Sequence, residues 1–439
     1  MASASRLYAA HIKSLCQRYD RALEASGFDS VLIGAGQAPP VYRDDQHYPY
    51  RAEALFLQWA PLLAHPGSAL LYRPGRKPLL LVLEPVDYWH QPAPIPQGPW
   101  QRRLDIRVLR KPGDLRRHLP RNTLALLGDP GQWRGLEISG HRNPRPLLTY
   151  LDYERACKTS WEVHCIEQAT VQALAGHRAV QTAFQAGLSE FEMGLMFLAG
   201  CGQSDAELPY PAIVAMNENG ATLHYQHRNR QRLPARERHS LLLDAGSSVA
   251  GYASDITRTH AARRGEFATM VRDMDRTQQG LCAQVKPGVA FPDLQLGAFT
   301  ALAELLARWE LVRMSPADMV KRRIVDSFMP HGLGHLLGLQ VHDVGGNLAS
   351  PGGRKLAPPA RFPRLRLTRS LEPGMVVTIE PGIYFIDPLL ARLKKSRHHR
   401  QVNWKKLRDL RRYGGIRIED NVLVTADGHR NLTREAQNP

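Results

Sequence analysis

The residues whose types and spacing could do chemistry gather around Phe328-Met-Pro-His331-Gly-Leu-Gly-His335-Leu-Leu-Gly-Leu-Gln-Val-His342, three histidines set among glycines. Four acidic residues elsewhere are spaced to complete a metal site around one of them. They are Asp244 and Asp255, which flank one predicted turn, Glu380 in Thr-Ile-Glu-Pro-Gly, and Glu419 in Gly-Ile-Arg-Ile-Glu. One imidazole and four carboxylates make a hard, mostly oxygen donor set. Such a set suits a pair of Mn²⁺-like ions better than a structural zinc. Two cations bridged by carboxylates can hold a hydroxide at neutral pH and polarise a carbonyl. The set therefore implies a two-metal peptidase.

Each residue alone is weak evidence. In an antiparallel hairpin, residues equidistant from the turn centre face one another. The midpoint of 244 and 255 falls between Val249 and Ala250, so the two aspartates are expected as cross-strand neighbours. Left without a cation, such a pair would repel and one would take up a proton; two exposed turn aspartates are the plainer reading. A lone histidine is usually a satisfied core or surface residue, but His331, His335 and His342 share one glycine-rich turn. There, small residues let the backbone approach a site closely. Glu380 precedes Pro381-Gly382 at a strand end. Glu419 and Arg417 alternate along Ile416–Glu419 and so share a strand face, where Arg417 could equally form a structural ion pair.

Positioning these residues needs more than one core, since 439 residues are too many for a single ordinary one. A hydrophobic content of 43% and a charged content of 23% are those of a soluble globular protein. No apolar stretch follows the N-terminal basic residue, and no segment approaches a membrane span, so a cytoplasmic chain without membrane contact is expected. The five scattered cysteines form no CxxC pair and read as reduced thiols. The net charge of +17 is unusual. Much of it lies in Arg102–Arg121 and in Arg392–Arg412. No nucleic-acid-binding motif accompanies it, so a solvated helix face is expected there rather than a nucleic-acid footprint.

The first 155 or so residues alternate strands, at Ser30–Gly34, Pro78–Glu84 and Leu124–Gly128, with helical stretches and Pro-rich connections, which fits a small α/β domain. Thr159-Ser-Trp-Glu162 is a capping box opening a helix through about Gln185, and Ser189-Glu-Phe-Glu192 opens another. A third helix is expected over Phe267–Gln284. Apolar runs at Ala212–Ala215, Ser240–Gly246, Met375–Glu380 and Ile416–Glu419 read as mostly antiparallel strands. The expectation is an α+β catalytic domain over 159–439, preceded by a smaller α/β domain over 1–158.

With all five candidate ligands in order, the chain resembles the peptidase family that includes methionine aminopeptidase, aminopeptidase P and prolidase. Its order Asp, Asp, His, Glu, Glu recurs as Asp244, Asp255, His335, Glu380 and Glu419. Within the family the likeness is to the bacterial Xaa-Pro dipeptidases. It runs nearly end to end, including Asp44-Asp-Gln-His-Tyr-Pro-Tyr and Val86-Asp-Tyr-Trp-His. The resemblance implies the pita-bread fold and two divalent ions, with Mn²⁺ the expected metal. Asp244 would bind one ion, His335 and Glu380 the other, and Asp255 and Glu419 would bridge. It implies Glu380 as acceptor of the water proton. His224 and His342 would hold substrate and stabilise the tetrahedral intermediate, with His331 as a further pocket histidine. Arg366 would grip the proline carboxylate and Arg417 would support the metal-site glutamate and the substrate. Tyr210 would line the pocket, and Asp45, from a partner subunit of a homodimer, would meet the free amino group. Hydrolysis of Xaa-Pro dipeptides is the activity implied, with organophosphate triesters as a side reaction. The alternatives are an aminopeptidase P acting on longer peptides, or a basic peptidase-like module without catalysis.

Overall fold

A computed structural model describes residues 2–437 except Asp87 and His90, so part of the Val86–His90 stretch lies outside the described residues. The chain divides into two units. The first holds Met1–Cys165, Ala250–Tyr252 and Leu348–Lys355; the second holds the remainder.

In the first unit, helix α1 (Ala2–Ser26) carries Tyr8, Ile12, Leu15, Tyr19, Ala22 and Leu23 on one face, and all six are buried. That three-and-four spacing is the apolar stripe of a helix laid on a core. A mixed sheet follows, in the order β4-β3-β2-β1-β5-β6. Its strands are β1 (Ser30–Gly34), β2 (Ala69–Tyr72), β3 (Leu79–Leu83), β4 (Asp105–Leu109), β5 (Leu124–Leu127) and β6 (His141–Arg142). Leu32, Leu71, Leu81 and Leu126 pack with Trp133 in its core. Short helix α2 (Ala54–Leu57) and helix α3 (Arg145–Arg155) complete the unit's fold.

Helix α4 (Ser160–Ala186) starts where the capping box places it, with Thr159 N–H donating to Glu162 Oε2 at 2.8 Å. Helix α5 (Glu190–Cys201) opens on the second box, closed by Ser189 and Glu192. The second unit then builds three small sheets, and all their strand pairs are antiparallel. The first is β7 (Ile213–Met216), β8 (Ser240–Asp244) and β11 (Thr257–Ala261), with β8 central. Short strands β9 (Ser248–Val249) and β10 (Tyr252–Ala253) flank Ala250 and Gly251, both at positive φ. The second sheet is β12 (Val376–Ile379), β15 (Asp420–Val424) and β16 (His429–Asn431); the third pairs β13 (Gly382–Tyr384) with β14 (Gly415–Arg417). Helices α6 (Glu266–Cys282) and α7 (Phe291–Arg308) share a core in which Phe267, Met270, Met274, Leu302 and Leu306 are buried.

The basic stretch 392–412 forms parts of α9 (Asp387–Lys395) and α10 (Trp404–Leu410), after the short α8 (Pro316–Lys321) and before the terminal α11 (Leu432–Gln437). Leu390, Leu393, Leu407 and Leu410 bury one face of that pair in the same core, so the basic residues lie on the other face. No helix among the described residues is long and apolar enough to cross a membrane.

The glycine-rich histidine segment has no strand of its own, yet it runs antiparallel to β12. Glu380 N–H donates to Leu333 O at 2.8 Å, Thr378 N–H to His335 O at 3.0 Å, and Leu337 N–H to Val376 O at 2.9 Å. Gly334 permits this approach, because a Cβ there would lie 1.9 Å from the Thr378 carbonyl oxygen. Backbone contact that close cannot be relieved by a side-chain rotation. Gly334→Ala should therefore push His335 away from β12 and cost about 3 kcal/mol or more of stability. Thermal unfolding together with metal content measures it; a variant with unchanged melting and full metal loading would contradict the role given to Gly334.

Candidate metal centre

The candidate ligands come from strand ends. Asp244 ends β8, Asp255 precedes β11, Glu380 lies in the gap between β12 and β13, and Glu419 lies in the gap between β14 and β15. β14 pairs with β13, and β15 with β12, so the chain changes sheets at Ile418–Glu419. Glu419 is fixed at this crossing by a bridge to Thr257, its N–H donating to Thr257 O at 3.0 Å.

The aspartates are not directly opposite one another. The register of β8 and β11 sets Asp244 against Thr257, which places Asp255 two residues further toward the turn. That register centres the hairpin between Ala250 and Gly251, whose positive φ values, 54° and 88°, suit a tight turn. The expected centre was one residue earlier, and a one-residue change in turn centre moves every pairing by two. Because a strand repeats every two residues, both carboxylates still share a face as diagonal neighbours.

Asp255, His335 and Glu419 each offer a ligand atom, and these atoms lie within 4.8 Å of one another. His335 Nε2 is 3.5 Å from Asp255 Oδ2 and 3.8 Å from Glu380 Oε1. His335 Nδ1 lies 3.0 Å from Leu336 O, which can only accept, so Nδ1 carries the proton. The lone pair of Nε2 is thereby turned toward the carboxylates, the tautomer a metal-ligating imidazole needs. Asp244 Oδ1 is buried without a hydrogen-bond partner, while its Oδ2 receives Arg417 Nη2 at 2.6 Å. A buried orphan acceptor, a free imidazole lone pair and clustered carboxylates are a donor set that fits divalent cations.

The electrostatics agree. Burial, then Asp244, raises the Asp255 carboxyl to about 8. Burial, then Glu419, holds Glu380 well above the carboxylate range, and burial, then Asp255, does the same for Glu419. Burial lowers the His335 ring to about 4. A cation would reverse the carboxyls' reluctance to ionise, and the neutral His335 imidazole is already the form that ligates one.

The other expected site residues spread around this cluster. Tyr210 Oη donates to Asp255 Oδ1 at 2.5 Å. His331 Nδ1 lies 3.7 Å from Glu380 Oε2, and its Nε2 is 2.8 Å from Tyr384 Oη. The His342 ring meets His335 edge-on, with centroids 4.4 Å apart. His224 and Arg366 are exposed and make no direct contact with the cluster, but their charge lowers His342, after burial and His335, to about 3. Asp45 is exposed and belongs to the first unit. Arg417 does not bond Glu419 directly. Its guanidinium goes to Asp244, to Tyr384 Oη at 3.0 Å and to Thr257 Oγ1 at 3.2 Å. Thr257 Oγ1 in turn donates to Glu419 Oε2 at 2.6 Å.

Thr257 and Tyr384 were not singled out from sequence. Thr257 carried a signal, since it falls two residues after Asp255 on the same strand face. Tyr384 carried none: a tyrosine in a short apolar run reads as core until its hydroxyl is seen between Arg417 and His331. Asn421 was equally silent, and its Oδ1 accepts Asp255 N–H at 3.2 Å.

Residues 6–153 match the family model described as Xaa-Pro dipeptidase, N-terminal domain, and residues 164–426 match metallopeptidase family M24. An Xaa-Pro dipeptidase of Aeromonas hydrophila is 45% identical over 99% of this chain and 100% of its own length. One from Xanthomonas euvesicatoria is 43% identical over 98% of each, and one from Pseudoalteromonas atlantica 40% over 99% of each. A zinc-substituted aminopeptidase P of Escherichia coli superposes with a TM-score of 0.70 at 22% identity, covering 96% of this chain and 95% of that one. At that identity the superposition speaks for the fold alone.

A metal-free protein should betray this site through pH. The raised folded-state pKa of Asp255 means that the native state holds its proton after the unfolded chain has released it. Stability from this group is therefore complete below the ordinary carboxylate range and declines as pH rises toward about 8. Glu380 and Glu419, also raised, act in the same direction. Chelator-stripped protein is expected to melt at lower temperature as pH rises across that window, and saturating divalent cation should abolish the slope. A melting temperature that ignores the cation at every pH would count against a metal site here. By family model and by full-length relatives, the chain belongs to metallopeptidase family M24, within its Xaa-Pro dipeptidase group.

Proposed function

We propose that this M24 metallopeptidase hydrolyses Xaa-Pro dipeptides at the cluster of Asp244, Asp255, His335, Glu380 and Glu419. The observation that carries the reading is full-length similarity to Xaa-Pro dipeptidases over a cluster whose free acceptors fit cations. The donor set suits two divalent ions, with Mn²⁺ favoured by its four carboxylates. When bound, they supply a water of lowered pKa and a Lewis acid for the scissile carbonyl.

An Xaa-Pro bond is a tertiary amide with no N–H, so a peptidase cannot grip its substrate there. Recognition must come from the ends. Glu380, with Oε1 3.8 Å from His335 Nε2, would take the proton of the attacking water. His342 and His331 are neutral near pH 7, held low by burial first, and so can donate or accept a single hydrogen bond to a developing oxyanion and the departing nitrogen. His224 would assist from the solvent side. Arg417, anchored by Asp244, Thr257 and Tyr384, would fix the site's geometry. Tyr210 would line the pocket. The exposed Arg366 is given the proline carboxylate, and a tetrahedral phosphoryl centre would be accepted only as a side reaction.

A homodimer is part of the proposal. Tyr42, Tyr48, Tyr88 and Trp89 are exposed in the first unit, at 82%, 57%, 87% and 75%, and aromatic surface of that kind is what a partner covers. Asp45 lies in sequence between two of them, which supports its reaching a neighbour's site. Sedimentation should give twice the chain mass; a monomer with full activity would remove Asp45 from the mechanism.

The decisive assay strips the metal, reloads Mn²⁺ and compares an Xaa-Pro dipeptide with the matching Xaa-Pro-Xaa tripeptide. Cleavage of the dipeptide, restored by metal, is expected. Arg366→Ala should raise its KM at least tenfold, with a smaller change in kcat, because a charge-assisted bond is worth about 1.5–3 kcal/mol. Preference for the tripeptide would overturn the dipeptidase reading in favour of an aminopeptidase P activity.

A further inference from the structure

Basic residues from separate stretches of the chain meet at one place in the second unit. β8 and β11 pair Asp244 with Thr257 at one end and Ser240 with Ala261 at the other. The first end carries the candidate metal centre. The second lies about 13 Å away, from four steps of strand rise. There, a cleft of about 430 Å³ opens onto solvent.

Three separate stretches supply its cations: Arg236 and Arg238 before β8, Arg263 and Arg264 after β11, and Lys406 and Arg412 from the basic run 392–412. Counter-charge is scarce. Glu266 pairs with Lys406 at 2.5 Å and Glu237 with Arg236 at 3.3 Å, which leaves Asp409 as the other acidic residue of the lining. Among the described residues, no carboxylate lies within ion-pair distance of Arg238, Arg263, Arg264 or Arg412. Arg238 spends Nη1 on Phe184 O, and its buried Nε has no hydrogen-bond partner. Arg263 reaches only Ala235 O. Arg238, Arg263, Arg264 and Arg412 line one cleft in which Asp409 is the one acid of the lining outside an ion pair, so they repel one another, and an anion bound there relieves that repulsion.

Two further observations fit. Helix α6, seventeen residues long, begins at the cleft, and its N-cap Gly265 has no side chain to satisfy the first N–H groups. Glu266 offsets part of that helix-end charge but is itself bound to Lys406. His239, in the same lining, is pushed below its ordinary value by burial first and then by Arg412 and Arg263.

We propose that this cleft binds a small molecule carrying a di- or triphosphate. One phosphate is too little charge for four guanidiniums that have no carboxylate partner among the described residues. The volume is within the range of a small-ligand site. Arginine forks match phosphate oxygens two at a time, which a diffuse surface patch does not need. Inorganic pyrophosphate and a nucleotide share this chemistry. Tyr413, stacked on Phe267 with centroids 4.1 Å apart, lines the cleft and could support a base. The inference is independent of the peptidase reading.

Calorimetric titration of the metal-loaded protein at physiological ionic strength tests it, with inorganic pyrophosphate and with adenosine diphosphate. Saturable binding is expected, weakened at least tenfold in Arg263→Ala/Arg412→Ala, while dipeptide turnover and melting stay as in the parent. A control, Arg102→Ala/Arg103→Ala, should bind as the parent does. Tighter binding of the nucleotide would support the site and name the nucleotide as ligand; equal binding would support it with phosphate groups alone as the determinant. Absence of saturable binding would overturn the proposal. So would affinity unchanged in the double variant, which would place pyrophosphate at the metal centre, or preference for a DNA duplex over either ligand.

Discussion

Four carboxylates converge on one imidazole in the second unit, and the buried positive charge beside them is Arg417. Placing several like charges in a low-dielectric site is costly unless cations share it. The side chains record this: Asp255, Glu380 and Glu419 hold their protons above the ordinary range, and Asp244 keeps one oxygen without a partner. A side chain free to move would swing to solvent. These do not, because each is mounted at a strand end or at a gap where the chain passes from one sheet to another. Such positions fix the backbone on both sides while leaving the side chain unencumbered by ladder neighbours. Gly334 then lets the histidine segment close against β12, so the imidazole enters the cluster from the remaining side.

The same stretch contains the opposite solution to burying a carboxylate. Asp420 follows Glu419 directly, yet alternation along the chain sends it to the other face. Burial alone would raise it, but Arg258 and Arg434 outweigh burial and hold it at about 2. Their bonds are 2.7 Å each, and Asn431 adds another at 2.9 Å. Two adjacent acids, equally buried, thus differ in kind: one is neutralised by protein, the other is left for something the protein does not supply. The contrast argues that the charge at Glu419 is a functional feature rather than an accident of packing.

Much of this was legible in the residue string. The two capping boxes open α4 and α5 because Ser/Thr and Glu at that spacing satisfy helix ends locally, without tertiary help. Strands β1, β3, β5, β8 and β12 appear where apolar runs predict them. What failed was anything set by one residue of geometry. The hairpin centre moved from Val249–Ala250 to Ala250–Gly251, since which residues take positive φ is decided by the fold. The alternation of Arg417 and Glu419 reads as one continuous strand, whereas the chain changes sheets between them and Arg417 turns to Asp244. The basic run read as a solvated face is amphipathic in helices, as expected. Its convergence with Arg263 and Arg264 had no signature, because the clusters are far apart in sequence and only the fold joins them.

The arginines of the second unit also differ in how firmly they are held. His331, His335 and His342 are all driven toward the neutral form, so the site's permanent cations are arginines. Arg417 is committed: Asp244, Thr257 and Tyr384 hold its guanidinium, and Tyr384 also engages His331. It cannot follow a ligand without breaking that network. Arg366 is exposed, and among the described residues no carboxylate pairs with it. A substrate anion arriving from solvent would therefore meet Arg366 first and leave Arg417 in place. For a dipeptide the carboxylate lies one residue from the scissile bond, so such a contact would locate the amide relative to the cluster. A longer peptide would carry that charge further away and would gain nothing from the same arginine, so chain-length selectivity would follow from the proposed contact.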